Sequence, residues 1–553
     1  MTDGKTIAEL LRARAGDDRT GLCFEDRRWS WREVVAESAQ RAAWLWSERE
    51  PGPLHVGVLL ENVPEYLFWL GAAALTGGTI VGINPTRRGA ELRRDIAHTD
   101  CQLIVSDHDG LDTLAGLDLE LDRSRFLAVD DPAYGDRLDA FRGAPAPDVA
   151  VDGSALFLLI FTSGTTGAPK AVQCSQGRLA GIAEVMTNGY GITTDDVLYS
   201  AMPLFHGNAL MTNWSPALRC GASVALRRKF SAGGFLPDIR RYGATYFNYV
   251  GKCLTYILAT PEQPDDADNR LQRVFGNEAS DRDIARFQRR FGCSVVEGYG
   301  SSEGGAAINK APGTPPGALG AGRDDGIVIV NPDTLEECPR ADFDDTGRLT
   351  NAHVAIGEIV NKNGVKTFEG YYKNDEANEV RTRNGWFWSG DLGYRDAEGY
   401  FYFAGRDADW LRVDGENFAA APVERILMRF PGVVMAGVYA VPDALAGDQV
   451  MCALELEPGM EFDAAAFGPF LQSQSDLGTK WAPRYVRIAS EMPLTGTHKL
   501  VKQAFRHDRW ECSEPVFWRD GTELVYRPMN DGDRATVRAE FDRHGRSAVL
   551  DLM

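Results

Sequence analysis

Short apolar runs alternate with longer apolar or amphipathic segments through most of the chain. Residues 54–60 form an apolar run with Val56, Val58 and Leu60, which predicts a strand. Residues 64–75 are apolar over a length that suits a buried helix, with Pro64 tolerated in its first turn. Residues 101–105, 126–129, 155–160, 223–226, 244–250 and 294–296 predict further strands. Strands and helices in this alternation predict a layered α/β architecture with a substantially parallel sheet. Residues 317–405 change character. Gly, Asp and short β-rich pieces at 326–330 and 399–404 predict a small β-rich subdomain there. The charged segment Gly405-Arg406-Asp407-Ala408-Asp409 marks a boundary, giving a large N-terminal domain over 1–405 and a smaller α/β C-terminal domain over 411–553.

At 553 residues the chain exceeds what one ordinary core sustains, which agrees with two or more domains. Its formal net charge of −20 argues against a nucleic-acid partner held on a basic surface, while leaving room for a local phosphate site. The first residues lack the apolar core of a signal peptide, and no run approaches the roughly 18 apolar residues that span a bilayer, so no integral membrane segment is expected. Nine cysteines are scattered without a C-x-x-C pair. That pattern favours a reducing, cytoplasmic setting and offers no zinc site.

The chemistry concentrates in five places. Behind the run at 155–160 stands Phe161-Thr162-Ser163-Gly164-Thr165-Thr166-Gly167-Ala168-Pro169-Lys170. Its glycines let backbone N–H groups turn toward an anion, and its hydroxyls and lysine add donors, which is chemistry for gripping a polyphosphate. It is not a Walker A loop, because Ala171 stands where Ser or Thr should follow the lysine. In Glu297-Gly298-Tyr299-Gly300-Ser301-Ser302-Glu303-Gly304, Tyr299 offers an aromatic face to a base and Glu303 a carboxylate to Mg²⁺; an acidic Gly loop also serves as a plain turn. Asp391, in a Gly-bounded turn, suits ribose hydroxyls or simple turn geometry. Lys499, on a Gly-Thr turn, suits a developing anionic charge or a solvated basic turn. His206, after an apolar strand and beside Gly207, suits a ligand cavity or a satisfied structural histidine.

In this order and spacing these pieces resemble the adenylate-forming superfamily of acyl-CoA synthetases, luciferases and peptide-synthetase adenylation domains. The resemblance runs from about Thr6 to Lys502. Tyr249-Val250-Gly251, Gly276-Asn277, Gly415-Glu416-Asn417-Phe418 and Thr495-Gly496-Thr497-His498-Lys499 are most similar to the fatty-acid-transport-protein and very-long-chain branch, which includes bacterial ligases for steroid side chains. The resemblance implies two steps: a carboxylate attacks the α-phosphorus of ATP, and CoA thiol then attacks the acyl-adenylate. By that resemblance Thr162, Ser163, Gly164, Thr165, Thr166, Gly167 and Lys170 hold the β and γ phosphates. Glu303 positions Mg²⁺ and Ser302 touches the α-phosphate. Asn277 and Tyr299 flank the adenine, and Asp391 with Arg406 holds the ribose. Lys499 stabilises the transition state. The C-terminal domain is mobile about a hinge at 406–410, centred on Asp409, and Gly415 lies near the pantetheine channel. The implied acyl pocket comprises His206, Gly207, Asn208, Trp214, Asn248, Tyr249, Val250, Gly298 and Gly300. Homodimers are common in the family.

The chain departs from the family pattern at Ala171 (usually Gly), Lys252 (usually Glu), Glu278 (usually a small residue), Ser302 (usually Thr) and Asn378 (usually Thr). Aromatics and glycines in the acyl pocket suit a bulky hydrophobic carboxylic acid. The expected activity is an ATP-dependent acyl-CoA ligase releasing AMP and pyrophosphate. Its alternatives are thioester formation alone from a supplied acyl-adenylate, an acyl-AMP ligase that loads a carrier protein, and a module that only binds nucleotide or acyl-adenylate.

Overall fold

The computed structural model describes residues 5–162, 170–251, 253–279, 281–311, 313–344, 349–406, 410–413, 416–444, 448–474, 477–478, 480–494 and 500–550. The chain forms two compact units. The first comprises Met1–Gly304 and Lys366–Thr382; the second comprises Gly305–Val365 and Arg383–Met553.

Two sheets build the first unit. One runs in the order Phe126–Ala128, Cys101–Ser106, His55–Leu59, Thr79–Gly82, Leu156–Phe161, Ala171–Ser175. Its neighbours are parallel except the last pair, which is antiparallel. The other runs Ser294–Gly300, Arg273–Asn277, Tyr246–Val250, Val197–Ser200, Ser223–Leu226, Thr20–Phe24, Arg27–Ser30, again parallel up to one antiparallel edge strand. Parallel strands are covered on both faces, so they read as unbroken apolar runs. His55–Leu59 shows this, being buried at every position.

The helix Pro64–Thr76 is buried from Tyr66 to Thr76 and belongs to the main core with Trp29, Trp44 and Leu103. Pro64 occupies its first turn, where a missing N–H costs nothing. Gly77 ends it at φ 69°, donating its N–H to the Ala73 carbonyl, a conformation that favours glycine. A close approach matters at Gly82, where a Cβ would lie 2.7 Å from the Phe205 carbonyl oxygen. The end of that strand therefore lies against the segment that leads to His206.

In the second unit Ile327–Val330, Gly357–Asn361, Phe387–Arg395 and Phe401–Arg406 form an antiparallel four-stranded sheet, the expected β-rich piece. A five-stranded sheet of Val433–Pro442, Asp448–Leu456, Tyr485–Ile488, Val516–Trp518 and Arg527–Pro528 packs with the helices Ala420–Leu427 and Ala464–Ser473. The end of the chain is folded. Its helix Asp531–Arg543 opens on a capping box between Asn530 and Asp533. Among the described residues no helix is long and apolar enough to cross a membrane. All nine cysteines are free thiols.

Two readings of the pattern are corrected. The strand expected at 294–296 continues to Gly300, so Glu297, Gly298 and Tyr299 sit on a strand and not in a loop. Its alternating glycines hid the extension, because they supply no apolar side chain to count. The β-rich stretch 317–405 is also interrupted: Lys366–Thr382 leaves it to pack with the first unit.

Candidate active site

The segment expected to grip phosphate joins two strands that pair antiparallel. Leu156–Phe161 and Ala171–Ser175 pair antiparallel up to Phe161 opposite Ala171. Beyond that pair the Thr162 N–H donates to the Lys170 carbonyl at 3.1 Å, and the Thr162 hydroxyl approaches the same oxygen at 3.5 Å. Ser163, Gly164, Thr165, Thr166 and Gly167 lie outside the described residues. The strand Ala171–Ser175, and not a helix, follows this segment. Burial lowers the pKa of the Lys170 amine; Arg381 adds to that by repulsion, and Glu303 opposes it by attraction. Lysine, arginine and glutamate thus share one electrostatic neighbourhood.

Glu303 follows the end of the strand Ser294–Gly300 and is 6% exposed. Its Oε1 accepts a hydrogen bond from the Tyr371 hydroxyl at 2.9 Å and lies 3.9 Å from an Arg381 amine. The Arg381 Nε–H donates to the Tyr371 oxygen at 2.9 Å. The Ser302 carbonyl accepts from Arg178 at 2.6 Å, and Arg178 also bonds the Gln173 carbonyl at 2.9 Å. Ser302 meets Gly207 from another loop: a Cβ on Gly207 would lie 2.9 Å from the Ser302 Oγ. Among the described residues no three His, Cys, Asp or Glu side chains gather to hold a metal ion by themselves. A single carboxylate beside hydroxyls fits Mg²⁺, which keeps several waters and arrives on phosphates.

The adenine and acyl candidates lie on neighbouring strands. Asn277 ends Arg273–Asn277 and donates through its amide to the Gly298 carbonyl. Tyr299 is half-buried on the adjacent strand, and Gly300 is exposed. Tyr249 is fully buried, and its hydroxyl donates to Glu297 at 2.8 Å. Burial, reinforced by the Glu297 charge, pushes that phenol well above its usual range. The Tyr249 ring covers Gly276, where a Cβ would lie 2.1 Å from it. Val250 and Trp214 are also buried, and Trp214 stacks on Phe157 with centroids 6.5 Å apart. A chain of amides runs through this wall. Asn213 donates to Asn248 at 2.8 Å, and Asn248 donates to Asn208 at 2.7 Å. The segment Leu210–Trp214 that carries Asn213 is a π-helical turn, a widening often found beside functional sites. His206 packs its ring on Phe205, centroids 4.3 Å apart.

In the second unit Asp391 and Arg406 are directly opposite on paired strands. Ser389 and Glu358 shape that turn: the Asp391 N–H donates to the Ser389 hydroxyl at 3.1 Å, and the Gly390 N–H to Glu358 at 2.6 Å. Leu494 and Leu500, the described residues on either side of 495–499, form an antiparallel bridge, and the Val501 N–H bonds the Pro493 carbonyl at 2.8 Å. Lys499, Asp409, Gly415 and Lys252 lie outside the described residues, as does the side chain of Arg406.

Sequence reasoning missed Tyr371, Arg381 and Arg178. The bonds from Arg178 to Ser302 and from Tyr371 to Glu303 span long stretches of chain, and an arginine on a helix carries no local mark.

The two largely parallel sheets and the antiparallel sheets of the second unit give the layered α/β fold of adenylate-forming enzymes, and the chain belongs to the AMP-binding enzyme family, whose profile matches residues 11–372. The AMP-binding enzyme C-terminal domain matches residues 422–499. The chain is 56% identical over 549 residues to steroid-22-oyl-CoA synthetase of Rhodococcus jostii (strain RHA1), covering 99% of both chains. It is 48% identical over 513 residues to the medium/long-chain-fatty-acid–CoA ligase FadD17 of Mycobacterium tuberculosis (strain ATCC 25618 / H37Rv), covering 93% of this chain and 98% of that one. In fold it matches ATP-bound MatB from Rhodopseudomonas palustris with a TM-score of 0.79 at 24% identity, over 91% of this chain and 98% of that chain.

Proposed function

We propose that this enzyme is an ATP-dependent acid–thiol ligase that converts a bulky hydrophobic carboxylic acid, through an acyl-adenylate, to its CoA thioester. The observation that carries the reading is the buried Glu303 carboxylate, next to Ser302 and in the field of Lys170. Relatives named for a steroid-22-oyl acid and for medium and long fatty acids support the acyl class.

The residues divide the work by charge. Thr162, Lys170 and the loop between them grip the β and γ phosphates, and Ser302 meets the α-phosphate. Glu303 holds Mg²⁺, which neutralises phosphate charge when bound. Asn277 sets Gly298, and Tyr299 flanks the adenine. Asp391 and Arg406 hold the ribose. Lys499 stabilises charge on the α-phosphorus during attack. Rotation about a hinge at 406–410, between domains of 1–405 and 411–553, then withdraws Lys499 and presents Gly415 to the pantetheine arm. A reducing cytoplasm suits the nine free thiols, and a homodimer follows family habit.

The test is mass spectrometry of the purified enzyme with ATP, Mg²⁺ and a panel of hydrophobic acids, with and without CoA. Acyl-AMP without CoA and acyl-CoA with it is the expected result. Acyl-CoA only from supplied acyl-adenylate would reduce the enzyme to its second step. Lys499→Ala should lower adenylation by about 10²-fold or more, the scale of losing one stabilising donor, while sparing thioester formation from supplied acyl-adenylate. Equal loss of both steps would remove the assigned role.

A further inference from the structure

Glu303 is held by a segment that the reaction scheme does not use. Lys366–Thr382 returns to the first unit and lies along the free edge of Ala171–Ser175. Val172 bridges Tyr371, the Tyr372 N–H donates to the Ala171 carbonyl at 2.9 Å, and the Gln173 N–H to the Gly370 carbonyl at 3.0 Å. Asn378 clamps the strap from the other side. Its Oδ1 accepts from the Tyr371 N–H at 2.6 Å, and its Nδ2 donates to the Tyr371 carbonyl at 3.1 Å. Both backbone groups of Tyr371 are therefore fixed by one amide, a bond pair that needs a donor and an acceptor on the same side chain. Ala171 and Asn378, two departures from the family pattern, thus hold neighbouring residues of one strap, Tyr372 and Tyr371.

The consequence falls on Glu303. Tyr371 and Arg381 both address Oε1, and Oε2 accepts no hydrogen bond among the described residues. A carboxylate tied by one oxygen has its plane and its open lone pairs set before any cation arrives.

We propose that Tyr371 is a positioning residue for Glu303, with Arg381 bracing its hydroxyl and Asn378 locking its backbone, so that Oε2 is presented to the Mg²⁺ of Mg·ATP. This rests on the metal role proposed for Glu303. Partners that orient a ligating group typically change metal affinity by about 10–100-fold when removed.

The test measures Mn²⁺ binding by electron paramagnetic resonance with a non-hydrolysable ATP analogue bound, and analogue binding without metal by calorimetry. Tyr371→Phe removes one oxygen and should weaken Mn²⁺ about tenfold or more while leaving metal-free analogue binding unchanged. Asn378→Leu keeps the phenol but releases the strap, and should weaken Mn²⁺ in the same direction. It also covers the case in which Tyr371→Phe folds poorly. Wild-type Mn²⁺ affinity in both variants, with a loss in Glu303→Gln, would overturn the positioning role. Wild-type affinity in Glu303→Gln itself would instead overturn the metal assignment beneath it.

Discussion

Tyr249 and Asn248 stand in the expected acyl pocket, yet their polar atoms face other protein atoms. The Tyr249 hydroxyl is held by Glu297, and its ring occupies the space above Gly276. Gly276→Ala would drive a methyl into that ring, and overpacking of this kind costs about 1–3 kcal/mol. Urea unfolding should report a lowered midpoint at unchanged slope. Asn248→Leu would strip the middle of the amide chain and leave an Asn213 N–H and the Asn208 oxygen without their partner. A buried group left unsatisfied costs about 1–3 kcal/mol. Because Asn208 and Asn248 both belong to the proposed acyl pocket and are bonded to each other, the same variant should raise the KM for the acid more than the KM for ATP. Equal shifts in both would count against an acyl-side role. These contacts were not legible in the sequence. Asn208, Asn213 and Asn248 sit in three apolar surroundings, where an asparagine reads as an exception and not as one link of a chain.

At the scale of elements, the strands were legible because parallel strands are apolar on both faces, so 223–226 reads directly as Ser223–Leu226. The segment 162–170 stood out for a different reason: its run of glycines, hydroxyls and a lysine has few other uses. Whether a helix or a strand followed it was not legible, since residues 171–175 show no period that decides. The helix Gly89–His98 carries a further prediction. Asp95, 2% exposed, pairs with Arg87 at 3.0 Å, but burial outweighs that pairing and lifts its carboxyl to about 6. The folded state therefore holds this proton more tightly than the unfolded chain does. Its contribution to stability is whole below about pH 4, the unfolded carboxyl value. It is lost as pH rises through about 6. Asp95→Asn does not titrate, so its melting temperature should gain on the wild type between about pH 4 and 7. A constant difference across that range would show that Arg87 holds the carboxylate charged throughout.

At the scale of the whole molecule, the family was readable from motif order, but the path of the chain was not. Residues 317–405 looked like one β-rich piece because turns and short strands fill both its ends. Nothing local marks Lys366–Thr382 as belonging elsewhere; Tyr371 finds Glu303 only after the chain has left the first unit at Gly305 and come back. That detour has a consequence for synthesis. A ribosome that has just released Gly304 has made nearly all of the first unit, yet one edge of Ala171–Ser175 still lacks the backbone that will cover it. An open strand edge is a template for pairing with another chain. The nascent enzyme must carry that edge until residue 382 emerges. A chain cut after Gly304 should therefore aggregate during refolding where the full chain does not, and a peptide spanning 366–382 added in trans should suppress it, as read by light scattering.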